Sequence, residues 1–435
     1  MEQPKPYTAY RDSGVGWLEE IPQHWKVKRL KYFAPISGEK LDGKPDELTY
    51  LGLENVESKT GRLLLDAPVE EVDSTVSAFH RDEVLFGKLR PYLAKVVHAS
   101  FDGVCTSELL VLQPDRRQVE PRFLFYRLLS NEFIRYANAF SYGVKMPRTS
   151  PQLIANTGVP LPSLPEQQTI AAFLDRETER LDASAAKKEQ LIGLLQEQRS
   201  TLISHAVTKG LNPEAPMKDS GIPWLGRIPE HWKPKRLKHI SPRQNVGVVV
   251  NPSSYYADAG VPFLFGGDIS EGKISTDSCR RISPEDSRRL SDSLLHSDDL
   301  VTVRVGYPGV TAVIPPDLEG CNCASMMVVR RSPRFDSRWL CYAMNSRIGR
   351  SQVEIVQYGA AQEQFNIAHA VEFRFAFPPK EEQTAIADYL DQKTNKLDAL
   401  IARTRDGIAA LREYRTALIS AAVTGKIAVN VSASH

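Results

Sequence analysis

The chain has 435 residues, 42% hydrophobic and 25% charged, which suits two to four packed domains and excludes a disordered polymer. Its net charge of +2 gives no whole-protein electrostatic signal for nucleic acid, so any basic surface must be local. Five cysteines without a CxxC pair argue against a disulfide framework or a zinc site, and Cys321 and Cys323 read as buried, reduced thiols.

No apolar run is long enough to span a membrane. The opening MEQPKPYTAYRDSG does not read as a signal peptide, and the expected location is the cytoplasm.

In chain order, residues 12–33 (DSGVGWLEEIPQHWKVKRLKYF) form a lead-in segment that returns at 219–240 (DSGIPWLGRIPEHWKPKRLKHI), shifted by 207. Each copy has turn signals followed by a basic cluster: Lys26, Lys28, Arg29 and Lys31, then Lys233, Lys235, Arg236 and Lys238. The cluster suits either phosphate contact or a solvated strand. His24 and His231 each precede a tryptophan and read as structural.

Residues 34–160 form a first globular region with short β-type runs at 48–53, 82–90, 94–100 and 107–114. One helix is predicted over 121–140, with proline in its first turn. Residues 241–376 repeat the plan, with runs at 261–267, 298–306, 310–315 and 324–331 and a helix at 337–356. His80-x-Asp82 matches His296-x-Asp298, and RFLFY (122–126) matches RWLCY (338–342), both at a shift of 216. The change of shift places the extra residues of the second region before His296. Detail diverges inside this scaffold: Lys88-Leu-Arg-Pro-Tyr-Leu has become Arg304-Val-Gly-Tyr-Pro-Gly.

Residues 166–208 predict one long helix, free of proline and rich in Ala, Leu, Glu, Gln and Arg, with Pro160, Pro162 and Pro165 marking its start. Steps of four and three connect Leu174, Thr178, Leu181, Ala185, Lys188, Ile192, Leu195, Arg199, Leu202 and Ala206 into a coiled-coil seam. Such a helix is about 65 Å long, more than one small domain needs. Residues 382–424 repeat it, with Leu390, Thr394, Leu397, Ile401, Ile408, Leu411, Arg415 and Leu418 on the matching seam. Matching seams predict that the helices pack on each other or on a partner's helices. Arg199 and Arg415, polar on an apolar line, either reach a partner or phosphate, which is the favoured reading, or snorkel at the end of the helix pair.

Several motifs are incomplete. Gly267-Asp-Ile-Ser-Glu-Gly272-Lys273-Ile274 resembles a phosphate loop, but Ile274 stands where Ser or Thr would hold Mg²⁺, and a strand–turn–strand is expected. Glu271 and Lys273, with Asp258 or Asp268, form only half of a nuclease-like set. Asn251-Pro252-Ser253-Ser254-Tyr255 lacks the second proline and adjacent aromatic of an amino-methyltransferase clamp. No HxH, HExxH or catalytic constellation is present.

The duplicated plan resembles the specificity (S) subunit of type I restriction–modification enzymes. The carrying segments are 12–25 and 219–232, LRPYLAKVV (89–97), SYGVKMPRTSPQLIANTGVPLPSLPEQQTIAAFLD (141–175) and FPPKEEQTAIADYLDQKTNKLDAL (377–400). QYGAAQEQFNIAHAVEFRFAFPP (357–379) departs from the first copy, keeping Tyr-Gly but not the LPSLP spacing.

The resemblance implies an α+β fold. Two mixed α/β target-recognition domains are separated by two long antiparallel coiled-coil helices in a pseudo-two-fold internal duplication. The corresponding division is 1–160 (lead-in and first recognition domain), 161–210 (first spacer helix), 211–376 (linker, lead-in and second domain), 377–427 (second spacer helix) and a tail at 428–435. The resemblance also implies no catalysis by this chain. Its partners would be double-stranded DNA with a split, asymmetric target, two adenine-N6 methyltransferase subunits and two restriction subunits. S-adenosylmethionine, ATP and Mg²⁺ would belong to those subunits, with no cofactor or metal here. Half-sites one helical turn apart lie roughly 34–36 Å from each other. The seam from Leu174 to Ala206 spans about 50 Å by helix rise.

Reading needs phosphate contacts for register and base-edge contacts for sequence, for which Arg, Lys, Asn and Gln are suited. The candidates are Lys88, Arg90, Lys95, Lys145 and Arg148 in the first region, and Arg243, Gln244, Arg304, Tyr307, Tyr358 and Gln362 in the second. Two other readings stay open. One is a self-contained DNA methyltransferase or nuclease using the Glu271/Lys273 or Asn251 segment. The other is a coiled-coil scaffold without DNA binding.

Overall fold

A computed structural model describes residues 5–43, 47–64, 75–357 and 366–429. The chain forms two compact units, Met1–Glu189 with Arg405–His435, and Gln190–Thr404. Two long helices, Leu164–Lys209 and Lys380–Val423, each lend one half to each unit. They form where proline-free, high-propensity sequence follows a proline-rich turn.

In the first unit, Leu109–Leu112, Val84–Gly87 and Val96–His98 make an antiparallel sheet centred on Val84–Gly87. A second sheet orders Lys40–Leu41, Val76–Phe79, Gly103–Cys105 and Thr49–Leu51, the last pair parallel. The second unit has the same plan. Gln244–Val246, Met326–Val329, Leu300–Val303 and Thr311–Val313 make one sheet. Tyr256–Ala257, Arg280–Ile282, Val261–Leu264 and Asn322–Cys323 make the other.

The central strands are buried throughout because both faces are covered. Side chains alternate across a strand. Val84, Phe86, Leu110 and Leu112 therefore join a core with the helices, while Leu85, Leu109 and Val111 join a core with the second sheet. In the second unit Leu300, Met327 and Val329 face the helices, and Val301, Val303, Met326 and Val328 face away.

The helix seam is buried or half-buried along its length. In the first unit Leu174 and Leu181 share a core with Leu418, Ile419, Ala422 and Val423. In the second, Ile203, Ala206 and Val207 share one with Ile386, Ala387 and Leu390. In each unit the early part of one helix meets the late part of the other, which is antiparallel pairing. Ile192, Leu195, Leu202, Leu397, Ile401, Ile408 and Leu411 are likewise at least half-buried.

The helix expected over 121–140 is two helices, Pro121–Leu129 and Asn131–Ala139. Ser130 between them is extended, and its Oγ donates to the Arg127 carbonyl at 2.7 Å, a local bond that competes with helical continuation. Ser346 repeats this between Ser337–Asn345 and Arg347–Gln357, bonding the Ala343 carbonyl at 2.7 Å.

The His-x-Asp match proves to be a turn. Asp82 and Asp298 hold φ of 67° and 68°, and the next residues, Glu83 and Asp299, accept from the backbone N–H of His80 at 2.7 Å and His296 at 3.0 Å. All five cysteines are free thiols, with Cys105, Cys321, Cys323 and Cys341 buried. Among the described residues no helix is long and apolar enough to cross a membrane.

Candidate nucleic-acid interface

The lead-in segments frame the site. Trp25 donates its indole N–H to Glu166 at 3.0 Å, and Trp232 donates to Glu382 at 2.9 Å. Both acceptors lie in the first turn of a long helix, where a carboxylate also suits the helix dipole. His24 and His231 bond the same carboxylates, as a structural role requires.

The basic strands Lys26–Arg29 and Lys233–Arg236 pair with Gly158–Leu161 and Arg374–Phe377, the strands just before the long helices. Lys28 reaches Gln118 at 3.1 Å, Arg236 reaches Glu372 at 2.9 Å, and Lys238 also bonds Glu372. Part of each cluster is thus satisfied within the chain.

From this frame the central strand of each first-described sheet carries its C-terminal end outward. In the first unit Lys88, Leu89 and Arg90 follow Val84–Gly87. Thr149 N–H donates to the Lys88 carbonyl at 2.9 Å, and Arg90 N–H donates to the Pro147 carbonyl at 2.7 Å. Leu89 bridges to Arg148, and Tyr142 bridges to Arg148. The fold therefore gathers Lys88, Arg90, Lys145 and Arg148 at one place, although they are remote in sequence. Arg90 and Lys145 are exposed, Lys88 is half-exposed, and Arg148 makes a two-pronged contact with Glu108 at 3.3 Å.

Lys95 is the exception. It lies nearby on the sheet, but its ammonium bonds the Leu53 carbonyl and burial pulls its pKa down. Lys95 is thus engaged internally.

In the second unit Arg304 follows Leu300–Val303 at the same end of the corresponding strand. Gly306 and Gly309, at φ of 86° and 87°, turn the chain back, a conformation in which glycine carries no Cβ penalty. Tyr307 at the tip is 79% exposed, and Arg350 fixes the turn by donating to the Pro308 carbonyl at 2.8 Å.

Arg243 and Gln244 do not join them. The register sets Gln244 opposite Val329 and Val329 opposite Leu300, at the other end of the sheet from Arg304. The Gln244 amide also turns inward, onto the Leu237 carbonyl at 3.4 Å and the Ser241 carbonyl. Gln244 is level with Leu300, four residues before Arg304, a separation that only strand pairing fixes. Tyr358 and Gln362 lie outside the described residues.

The sequence candidates were cations, glutamines and tyrosines, and the exposed apolar residues among them were missed. Tyr142 (61% exposed), a fully exposed Val144 and an exposed Met146 share the 142–148 loop with Lys145. Val305 stands beside Tyr307, and Val249 and Val250 follow the far end of the Gln244–Val246 strand. The signal available was an apolar residue on each side of Lys145 in a glycine-led turn.

The seam arginines resolve differently from expectation. Arg415 bonds Asp182 at 3.0 Å on the opposing helix and donates to the carbonyls of Lys59 at 3.2 Å and Thr60 at 3.3 Å. In the second unit Arg199 bonds Asp398 at 2.9 Å and Glu271 at 3.5 Å. Each arginine ties both helices to a turn of the sheet-rich region, so neither is left to reach outward.

The Glu271 turn is the expected hairpin, Ile269–Ser270 against Lys273–Ile274. Lys273 pairs with Asp398 at 3.6 Å. Glu271 and Lys273 thus serve the scaffold. Among the described residues no group of three or more His, Cys, Asp or Glu is placed to hold a metal.

Known proteins match this arrangement. The profile described as "Type I restriction modification DNA specificity domain" matches residues 77–192. The EcoDI specificity subunit of Escherichia coli is 30% identical over 179 residues, 40% of this chain and 38% of that subunit. The putative MjaX specificity subunit of Methanocaldococcus jannaschii is 24% identical, covering 95% of this chain and 96% of its own length. A solved chain from work on assembly and conformational transition of the type I R-M system superposes with a TM-score of 0.73 at 21% identity, covering 94% of this chain and 99% of that one. The HsdS subunit from Thermoanaerobacter tengcongensis superposes with a TM-score of 0.54 at 21% identity, covering 95% and 100%. The chain thus carries a type I restriction modification DNA specificity domain over residues 77–192, is similar along nearly its whole length to a type I specificity subunit, and shares the fold of the solved ones.

Proposed function

We propose that this chain reads a split, asymmetric DNA sequence through its two sheet-rich regions and docks two adenine-N6 methyltransferase subunits on it, with restriction subunits joining the assembly. In this reading the chain performs no catalysis. S-adenosylmethionine, ATP and Mg²⁺ act in the partner subunits, and the methylated base is chosen here.

The observation that carries the reading is the doubled sheet end: Lys88, Arg90 and Lys145 in one unit, Arg304 beside Tyr307 in the other, on strands that correspond at a shift of 216. Two similar platforms with different side chains suit two different half-sites. The internal engagement of Glu271 and Lys273 weighs against a self-contained nuclease.

The test replaces residues 34–160 with the corresponding region of another subunit, with the partner methyltransferase present, and maps methylation across a genome. One half of the methylated sequence should change and the other persist. A methylated sequence unaltered by the exchange would refute the assignment.

A further inference from the structure

The loop at 142–148 has a braced stem and an apolar tip. Tyr142 and Arg148 exchange both backbone bonds, at 2.9 and 2.8 Å. Gly143 at φ 92° makes the bend. The stem is pinned to the strand end by the Lys88, Leu89 and Arg90 contacts, and by Arg148 on Glu108 at 3.3 Å. Yet Val144 at the tip touches nothing that would explain an aliphatic side chain, being fully exposed, with Tyr142 and Met146 exposed beside it.

A side chain of this kind adds nothing to folding, and apolar groups gathered in water mark a surface that becomes covered. The covering partner is constrained by charge. Residues 141–149 contain Lys145 and Arg148 and no acid, Arg90 is exposed alongside, and the nearby Glu108 is neutralised by Arg148. The partner is therefore anionic with a small apolar group at its surface. Duplex DNA offers one such group on its base edges, the thymine C5-methyl in the major groove. A stem already fixed before binding favours discrimination over accommodation.

Resting on the DNA-reading function above, we propose that Val144 packs against a thymine methyl in the half-site read by the first unit, while Lys145 and Arg90 contact the flanking phosphates. Val144 is then a specificity-determining residue.

The experiment uses the full chain assembled with its methyltransferase, and a target duplex identified by methylation mapping. Each thymine of that half-site is replaced in turn by uracil, which removes only the methyl. One replacement should weaken binding about fourfold, the worth of one buried methyl-sized group. Val144→Ser should bind the thymine and uracil duplexes equally, with an unchanged salt slope. Lys145→Ala should weaken binding to all sequences alike and lower the salt slope by about one.

A half-site insensitive to every replacement, or a Val144→Ser variant that keeps the preference for thymine, overturns the proposal while leaving DNA reading intact. Loss of methyltransferase assembly by Val144→Ser, with DNA selectivity unchanged, would assign the tip to a protein partner and overturn it equally. A complex without sequence-selective binding would bring down the DNA-reading function itself.

Discussion

At the scale of single residues, what decides a role is where the polar atom points. Lys88 and Lys95 are both half-exposed, but the Lys95 ammonium is bound to a backbone carbonyl of its own unit. His98 makes the same point with a consequence for pH. It lies half-buried on Val96–His98, with Nε2 3.2 Å from Asp82 Oδ1. Burial, assisted by the positive charge of Arg122, holds its pKa below the usual histidine value, and Asp82 only partly opposes this. The unfolded chain takes up this proton near about pH 6.5, whereas the folded chain takes it up only at lower pH. Acidification below about pH 6.5 should therefore cost stability through His98, until the folded form protonates too. His98→Asn should flatten that part of the pH dependence. Urea midpoints recorded from about pH 7.5 down to about pH 5.5 for both proteins would check it, and equal slopes would show that His98 is not the group responsible.

At the scale of elements, the long helices are held by contacts that repeat in each unit. Tyr126 bonds Asp175 at 2.7 Å and Thr178 at 3.1 Å, and Tyr342 bonds Asp391 and Thr394 at the same distances. Each lead-in tryptophan also closes on the glycine ending a long helix. Gly210 and Gly425 hold φ of 76° and 77°; Trp232 packs against the place of a Cβ at Gly210, and at Gly425 the ring of Pro22 fills that place with Trp25 beside it. The seam arginines differ in depth: the side chain of Arg415 is 8% exposed and that of Arg199 is 20%. Removing Arg415 strands two carbonyls and opens a gap under a turn, at a cost of about 2–3 kcal/mol. Arg199→Ala, at a wetter ion pair, should cost roughly 1 kcal/mol. Chemical denaturation followed separately in each unit would test this order, and a reversed ranking would show that burial is not what sets their worth.

At the scale of the whole molecule, the repeat is cyclic in its chemistry. The first long helix runs through Gly210 into the second lead-in segment. The second long helix runs through Gly425 back to the first: the Tyr10 hydroxyl donates to the Gly425 carbonyl at 3.0 Å, and Ala428 N–H donates to the Lys5 carbonyl at 2.7 Å. The continuous segment 210–216 thus corresponds to the junction of Ala428 with Lys5, which hydrogen bonds bridge. A permuted chain, with residue 429 joined to residue 5 by a short Gly/Ser linker and new ends within 211–215, should fold and direct methylation to the same sequence. Methylation mapping would read this directly, and a changed or lost target would mean that chain order contributes more than these contacts indicate.

The sequence by itself determined the duplication, the strand runs, the two long helices and their seams, because hydrophobic period and proline placement act locally. Leu174, Leu181, Leu390 and Leu418 were legible as core from spacing alone. The tertiary structure decided which polar residues are available to a partner. Whether Lys95, Gln244 or Arg415 meets water or a carbonyl depends on pairing between strands and helices far apart in sequence. Strand direction separated Arg243 and Gln244 from Arg304, and it brought Lys145 to Lys88 and Arg90. Periodicity records which face of an element is apolar, but it holds no information about what that element's ends will lie beside. A binding surface is made of such ends.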